Sequence, residues 1–123
     1  MVLKKSIITD NIQNYRNNLD WHAAISEMEK LFTIDRDPHI RVRIGDARRK
    51  LNGHGDAIKE YIFAGDLFAE RGFIAKALAQ YNLVLRLDSS NEYAKSKMAL
   101  MRRYSCVTRQ KRETMEYHIP QTV

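Results

Sequence analysis

Residues 37–72 read DPHIRVRIGDARRKLNGHGDAIKEYIFAGDLFAERG, and their punctuation decides the fold. Asp37-Pro38 is a helix start. The Asp carboxylate caps free N–H groups, and Pro at the first helical position forfeits no hydrogen bond. Ile40, Ile44, Ala47 and Leu51 follow at intervals of four, three and four, so they share one helical stripe. Asn52-Gly53-His54-Gly55 stops that helix, with glycine supplying the left-handed turn conformation. Asp56 is placed to cap the next helix, which carries Ala57, Ile58, Tyr61, Ile62, Ala64, Gly65, Phe68 and Ala69 and ends at Arg71-Gly72.

The same reading extends in both directions. Upstream, Ile8, Ile12 and Tyr15 predict a helix ending near Asn17-Asn18. Asp20 caps a second one with Trp21, Ala24, Ile25, Met28, Leu31 and Phe32. Downstream, Phe73 and Ile74 open a helix carrying Ala77, Leu78, Tyr81, Val84 and Leu85. Asp88-Ser89-Ser90-Asn91 closes it and caps a last helix with Ala94, Met98, Ala99 and Met101. Six helices of about 11–17 residues joined by loops of about 2–5 must pack antiparallel in sequence order. The predicted core is Trp21, Ile25, Met28, Ile44, Leu51, Ile58, Tyr61, Ile62, Phe68, Leu78, Tyr81, Leu85 and Met98.

Internal similarity adds a second layer. Gly45-Asp46 recurs as Gly65-Asp66, and Ala57…Tyr61 recurs as Ala77…Tyr81, both at an offset of 20 residues. Asp20-Trp21-His22-Ala23-Ala24-Ile25 aligns with Gly55-Asp56-Ala57-Ile58, and Leu31-Phe32-Thr33-Ile34-Asp35 with Leu83-Val84-Leu85-Arg86-Leu87-Asp88.

On these residues the chain resembles the tetratricopeptide repeat family, over roughly residues 6–104. Ile44-Gly45 matches the Leu-Gly pair of the family's first helix. Ala57, Tyr61 and Ala64 match its second helix. Trp21, Ala24, Met28 and Leu31, and then Ala77, Tyr81 and Val84, match in the flanking units. The resemblance implies an all-α, right-handed stack of three antiparallel helix pairs, over residues 1–104, with residues 105–123 as a basic extension that is partly disordered or capping. Two departures stand out. Arg41 and Arg48 occupy positions where the family places a bulky apolar residue and Tyr, which predicts a thinner, more solvated seam. Helix 56–71 fits the second-helix pattern read from its left and the first-helix pattern read from its right.

Composition excludes several classes. The 123 residues include two Pro, five Gly and one Cys, too few for a turn-rich β fold or a disulfide framework. His22, His39, His54 and His118 show no metal-ligand spacing, and the glycines form no phosphate loop. Cys106 has no neighbouring base in the sequence. These features predict no enzyme, no cofactor, no metal and no membrane span, with a cytoplasmic location as the default. Residues 1–92 are nearly balanced, with 14 Lys/Arg against 13 Asp/Glu, whereas residues 93–112 hold seven basic residues and no acidic one.

The resemblance implies a protein-binding groove lined by the first helix of each unit. Carried across, the groove positions are Ser6, Thr9, Gln13 and Arg16, then His39, Val42, Asp46 and Arg49. An arginine there suits a ligand carboxylate, which its planar fork can grip at both oxygens. The leading expectation is therefore a non-enzymatic interaction module, an adaptor, scaffold or chaperone-like subunit that binds a partner peptide or helix. The alternative is an anion- or nucleic-acid-binding module using Arg102, Arg103, Arg109, Lys111 and Arg112. That segment has Tyr104 as its one aromatic, so it lacks the stacking platforms of a nucleic-acid groove. A stack this short also exposes both end faces, which makes self-association through one of them plausible.

Overall fold

The computed structural model describes residues 2–104, with side chains from Lys4 onward. Residues 105–123, including Cys106, Arg109, Lys111, Arg112 and His118, lie outside the described residues, so the expectations for that extension fall outside them too. Five helices follow in order: α1 (Val2–Asn17), α2 (Trp21–Ile34), α3 (Pro38–Lys50), α4 (His54–Glu70) and α5 (Ile74–Leu87). A sixth, α6, is described over residues 92–104. No strand occurs among the described residues. The first four connections are each three residues long, so each helix turns back along the one before. Consecutive helices pack directly on one another, in the tetratricopeptide-like, all-α stack of helix pairs.

The connections come in two kinds. After α1, α3 and α4 the chain enters the left-handed region at Leu19, Asn52 and Gly72, with φ of 59°, 62° and 81°. In each the next N–H reaches back to a carbonyl five residues earlier: Asp20 to Tyr15, Gly53 to Arg48 and Phe73 to Phe68, all at 2.8 Å. This double-wrapped ending satisfies helix carbonyls that would otherwise lack partners. After α2 and α5 the chain leaves in extended conformation through Asp35 and Asp88 instead. Two details differ from the sequence expectation. The left-handed residue after α3 is Asn52, not a glycine, because asparagine's short polar side chain tolerates that region. Asp56 lies within the first turn of α4, and Gly53 occupies the cap position without a side-chain bond. Elsewhere the caps form as expected, with Asp20 accepting from Ala23 N–H, Asp37 from His39 N–H and Asn91 from Ala94 N–H.

Two buried clusters form the core. One joins α1–α3 through residues such as Ile8, Ile12, Met28, Phe32 and Ile44; the other joins α4–α6 through Tyr61, Phe68, Tyr81, Val84 and Met98. Of the predicted core residues, Trp21, Leu51, Ile58, Ile62, Leu78 and Leu85 are half-buried and pack against these clusters from their margins.

The same joint occurs twice, once between the two clusters and once within the α4–α6 cluster. A Cβ added to Gly45 would lie 2.7 Å from Tyr61 Cε1, and one added to Gly65 would lie 2.8 Å from Tyr81 Cε1. Each tyrosine ring therefore lies against the bare backbone of the preceding helix, and its hydroxyl donates to the next residue's carboxylate. Tyr61 donates to Asp46 and Tyr81 to Asp66, both at 2.5 Å. Tyr93 on α6 donates to the other oxygen of Asp66 at 2.7 Å. This duplication explains why helix 56–71 matched two patterns. α4 supplies the tyrosine to one joint and the glycine to the next.

The seam expected to be thin is filled. Arg41 is 14% exposed, with its guanidinium 4.2 Å from the Phe32 ring centroid on α2 and 4.7 Å from that of Phe63 on α4. It pairs with Glu29 at 3.1 Å and Glu60 at 3.2 Å, and Arg48 approaches Glu60 at 3.7 Å. A cation between two ring faces, with its two terminal nitrogens paired to carboxylates and its buried Nε without a partner, replaces the usual apolar contact.

Two predictions follow from the joints. Gly45→Ala or Gly65→Ala forces a methyl into the tyrosine ring and lowers unfolding free energy by about 1–3 kcal/mol, read by urea denaturation. Burial, and then the carboxylate acceptor, push the Tyr61 and Tyr81 phenols above their ordinary 10.0. The Asp66 hydrogen bond, and then burial, push Tyr93 up to about 12. A raised folded-state value means this contribution is full below the unfolded value near pH 10 and is lost as pH rises through the folded values. Stability therefore declines from about pH 10 upward, and Tyr81→Phe flattens that decline.

Candidate protein-binding groove

The alternation of direction brings the C-terminal ends of α1 and α3 to the same end of the stack as the N-terminal ends of α2 and α4. A pocket of about 450 Å³ opens there, lined by Arg16, Trp21, Met28, Arg43, Asp46, Ala47, Arg49, Lys50 and His54. Its wall is apolar where Trp21, Met28 and Ala47 face it. Its rim is cationic.

Arg16 closes α1, and Arg49 and Lys50 close α3. The negative end of each helix dipole favours these cations and holds them in place before any ligand arrives. Asp46 is the one carboxylate in the lining, opposite four cations. None of the ion pairs within 4.0 Å among the described residues involves Arg16, Arg43, Asp46, Arg49 or Lys50. Lys5, Lys30, Arg41, Arg48 and Lys95 have carboxylate partners, whereas other cations such as Lys59, Arg86 and Lys97 also have no ion pair within 4.0 Å among the described residues. What sets the pocket apart is that four cations without an ion pair line one concavity.

The sequence-derived groove residues divide into two groups. Arg16, Asp46 and Arg49 come together at the pocket. Gln13 is exposed on α1, where its amide donates to Asn17 at 3.0 Å, and it is not part of the lining. His39 and Val42 turn the other way. His39 sits against Asp37 at 2.8 Å and meets the Phe68 ring edge-on at 5.0 Å, while Val42 packs on the α4–α6 cluster. From α3 the lining is Arg43, Asp46, Ala47, Arg49 and Lys50, and the first turn of that helix takes no part in it. Sequence reading missed Trp21, assigned to the core, and Arg43, Lys50 and His54. The spacing of Arg43, Asp46, Arg49 and Lys50, three or four apart on one helix face, was the available signal.

Of the alternative anion-binding residues, Arg102 and Arg103 are exposed on α6 and do not line the pocket. Among the described residues no three His, Cys, Asp or Glu side chains converge as metal ligands. No described helix is long and apolar enough to cross a membrane.

No protein-family model matches the chain, and no curated protein matches it. Among solved structures it is similar to the first TPR of Spaghetti (RPAP3) bound to an HSP90 peptide SRMEEVD. Identity is 16%, with 85% of this chain and 94% of that one covered at a TM-score of 0.44. It is also similar to the first TPR domain of human RPAP3, at 15% identity, 86% and 95% coverage and TM-score 0.43. The Arabidopsis OM64 TPR domain is similar at 15% identity, 80% and 94% coverage and TM-score 0.41.

Trp21 is the single tryptophan of the chain and lies in the pocket wall, so it reports the local potential. Iodide should quench its fluorescence at least about twice as efficiently as caesium at low ionic strength, because the rim cations concentrate anions. Glutamine at Arg16, Arg43, Arg49 and Lys50 should bring the two quenchers level.

Proposed function

We propose that the chain is a protein-interaction module whose groove between α1 and α3 takes an acidic segment of a partner protein. One observation carries this reading: a pocket of about 450 Å³ whose four rim cations have no acidic partner among the described residues. Arginine's planar donors fit carboxylates two oxygens at a time, and the apolar wall of Trp21 and Met28 suits the aliphatic part of a glutamate or its neighbour. Rigid helices present these groups with little ordering cost on binding. The residues assigned to binding are Arg16, Arg43, Arg49 and Lys50.

The alternative, anion or nucleic-acid binding through the basic C-terminal segment, makes the opposite mutational forecast. The test is a titration with a short all-glutamate peptide, followed by Trp21 fluorescence and by anisotropy of the labelled peptide. Arg16→Glu with Arg49→Glu weakens binding by at least about tenfold. Neutralising Arg102, Arg103, Arg109, Lys111 and Arg112 leaves it within about twofold. The reverse pattern, with steep salt dependence and a preference for single-stranded DNA over the peptide, overturns the groove reading.

A further inference from the structure

Asp46 presents a puzzle of charge. On α3 it stands three residues after Arg43, three before Arg49 and four before Lys50, on one face of the helix. Those are the spacings at which a carboxylate pairs with a cation, and a carboxylate ahead of its lysine by four is the favourable order. Arg16 lines the same pocket from α1. Yet no ion pair within 4.0 Å among the described residues includes Asp46. Its Oδ1 accepts from the Tyr61 hydroxyl at 2.5 Å, Arg49 lies beside that same hydroxyl, and Tyr61 is fully buried, its ring packed against Gly45.

We propose that Tyr61 is a positioning residue for the pocket: its hydroxyl occupies Asp46 Oδ1 beside Arg49, keeps the carboxylate from closing an ion pair with the pocket cations, and so leaves them open for an anionic ligand. The proposal rests on the groove reading above and names the device that maintains its charge. Without the hydroxyl, Asp46 loses its anchor and turns to the cations on its own helix face, Arg43, Arg49 and Lys50. The pocket then neutralises itself, and an acidic ligand must displace an internal carboxylate.

The fold carries its own control. Asp66 holds the equivalent bond to Tyr81, but the residues three before, three after and four after it are Phe63, Ala69 and Glu70. No cation stands at those positions, so loss of the Tyr81 hydroxyl alters a joint without altering the pocket.

The experiment compares Tyr61→Phe, Tyr81→Phe and the double variant Tyr61→Phe/Asp46→Asn, each checked by circular dichroism. The probe is the all-glutamate peptide at low salt. Y61F lowers its affinity about fivefold and flattens its salt dependence, whereas Y81F changes affinity less than about twofold. Asparagine at position 46 has no charge with which to neutralise the cations, so the double variant regains the lost affinity. Equal affinities for Y61F and Y81F, or no rescue in the double variant, overturn the proposal. A ligand-free readout separates its failure from that of the groove reading. Guanidinium proton exchange at Arg43 and Arg49, measured by NMR, slows in Y61F as the new pairs form. Unchanged exchange overturns the positioning role whatever the peptide does. Slowed exchange in a protein that never binds the peptide overturns the groove reading alone.

Discussion

The contact on which the structure depends is a tyrosine ring laid against a glycine of the preceding helix, with its hydroxyl on the next residue's carboxylate. Removing Cβ from Gly45 and Gly65 brings the helix backbone within reach of the Tyr61 and Tyr81 rings. The hydroxyl of that buried ring then bonds a charged acceptor, which makes the bond stronger than a neutral one. Packing and polarity are thus fixed by the same side chain. The ring sets how close two helices come, and the hydroxyl sets their rotation.

Because the joint occurs at α3–α4 and again at α4–α5, the two core clusters are not independent. The first needs α3 and the second needs α4, and the Gly45–Tyr61 contact ties these together. Arg41, one turn before Gly45 on α3, adds a second tie, stacked between Phe32 and Phe63 and paired with Glu29 and Glu60. The two ties together fix α3 to both α2 and α4. Its C-terminal half is thereby presented at a constant angle beside the end of α1 and the start of α2, where the pocket lies.

The helices were legible in the sequence because their signals are local. Asp20, Asp37 and Asn91 cap as their positions suggest, and Gly72 takes its left-handed turn. The core stripes were legible for the same reason, although Trp21, Leu51, Ile58, Ile62, Leu78 and Leu85 proved marginal. What periodicity could not supply is partnership across helices. Arg41 looked like a defect in an apolar seam, because nothing local says that Phe32 and Phe63 will flank it. The Asp46–Tyr61 bond was hidden in plain view. The Gly-Asp recurrence and the Ala…Tyr recurrence share an offset of 20 residues, and together they are a single motif read twice. The pocket was half legible: Arg16, Asp46 and Arg49 follow from the repeat resemblance, while His39 and Val42 lie outside its lining.

A repeat of one helix has a property that a repeat of two lacks. Each copy reverses the direction of the chain, so the number of copies determines at which end of the stack the chain emerges. Between the extended corners at Asp35 and Asp88 there are three helices, an odd number. The chain therefore reaches Asp88 at the opposite end from where it left Asp35. Duplication or loss of a single 20-residue unit would swap that end, carrying everything downstream from one pole of the molecule to the other while each joint kept its geometry. Such a unit works as a topological toggle as well as a building block.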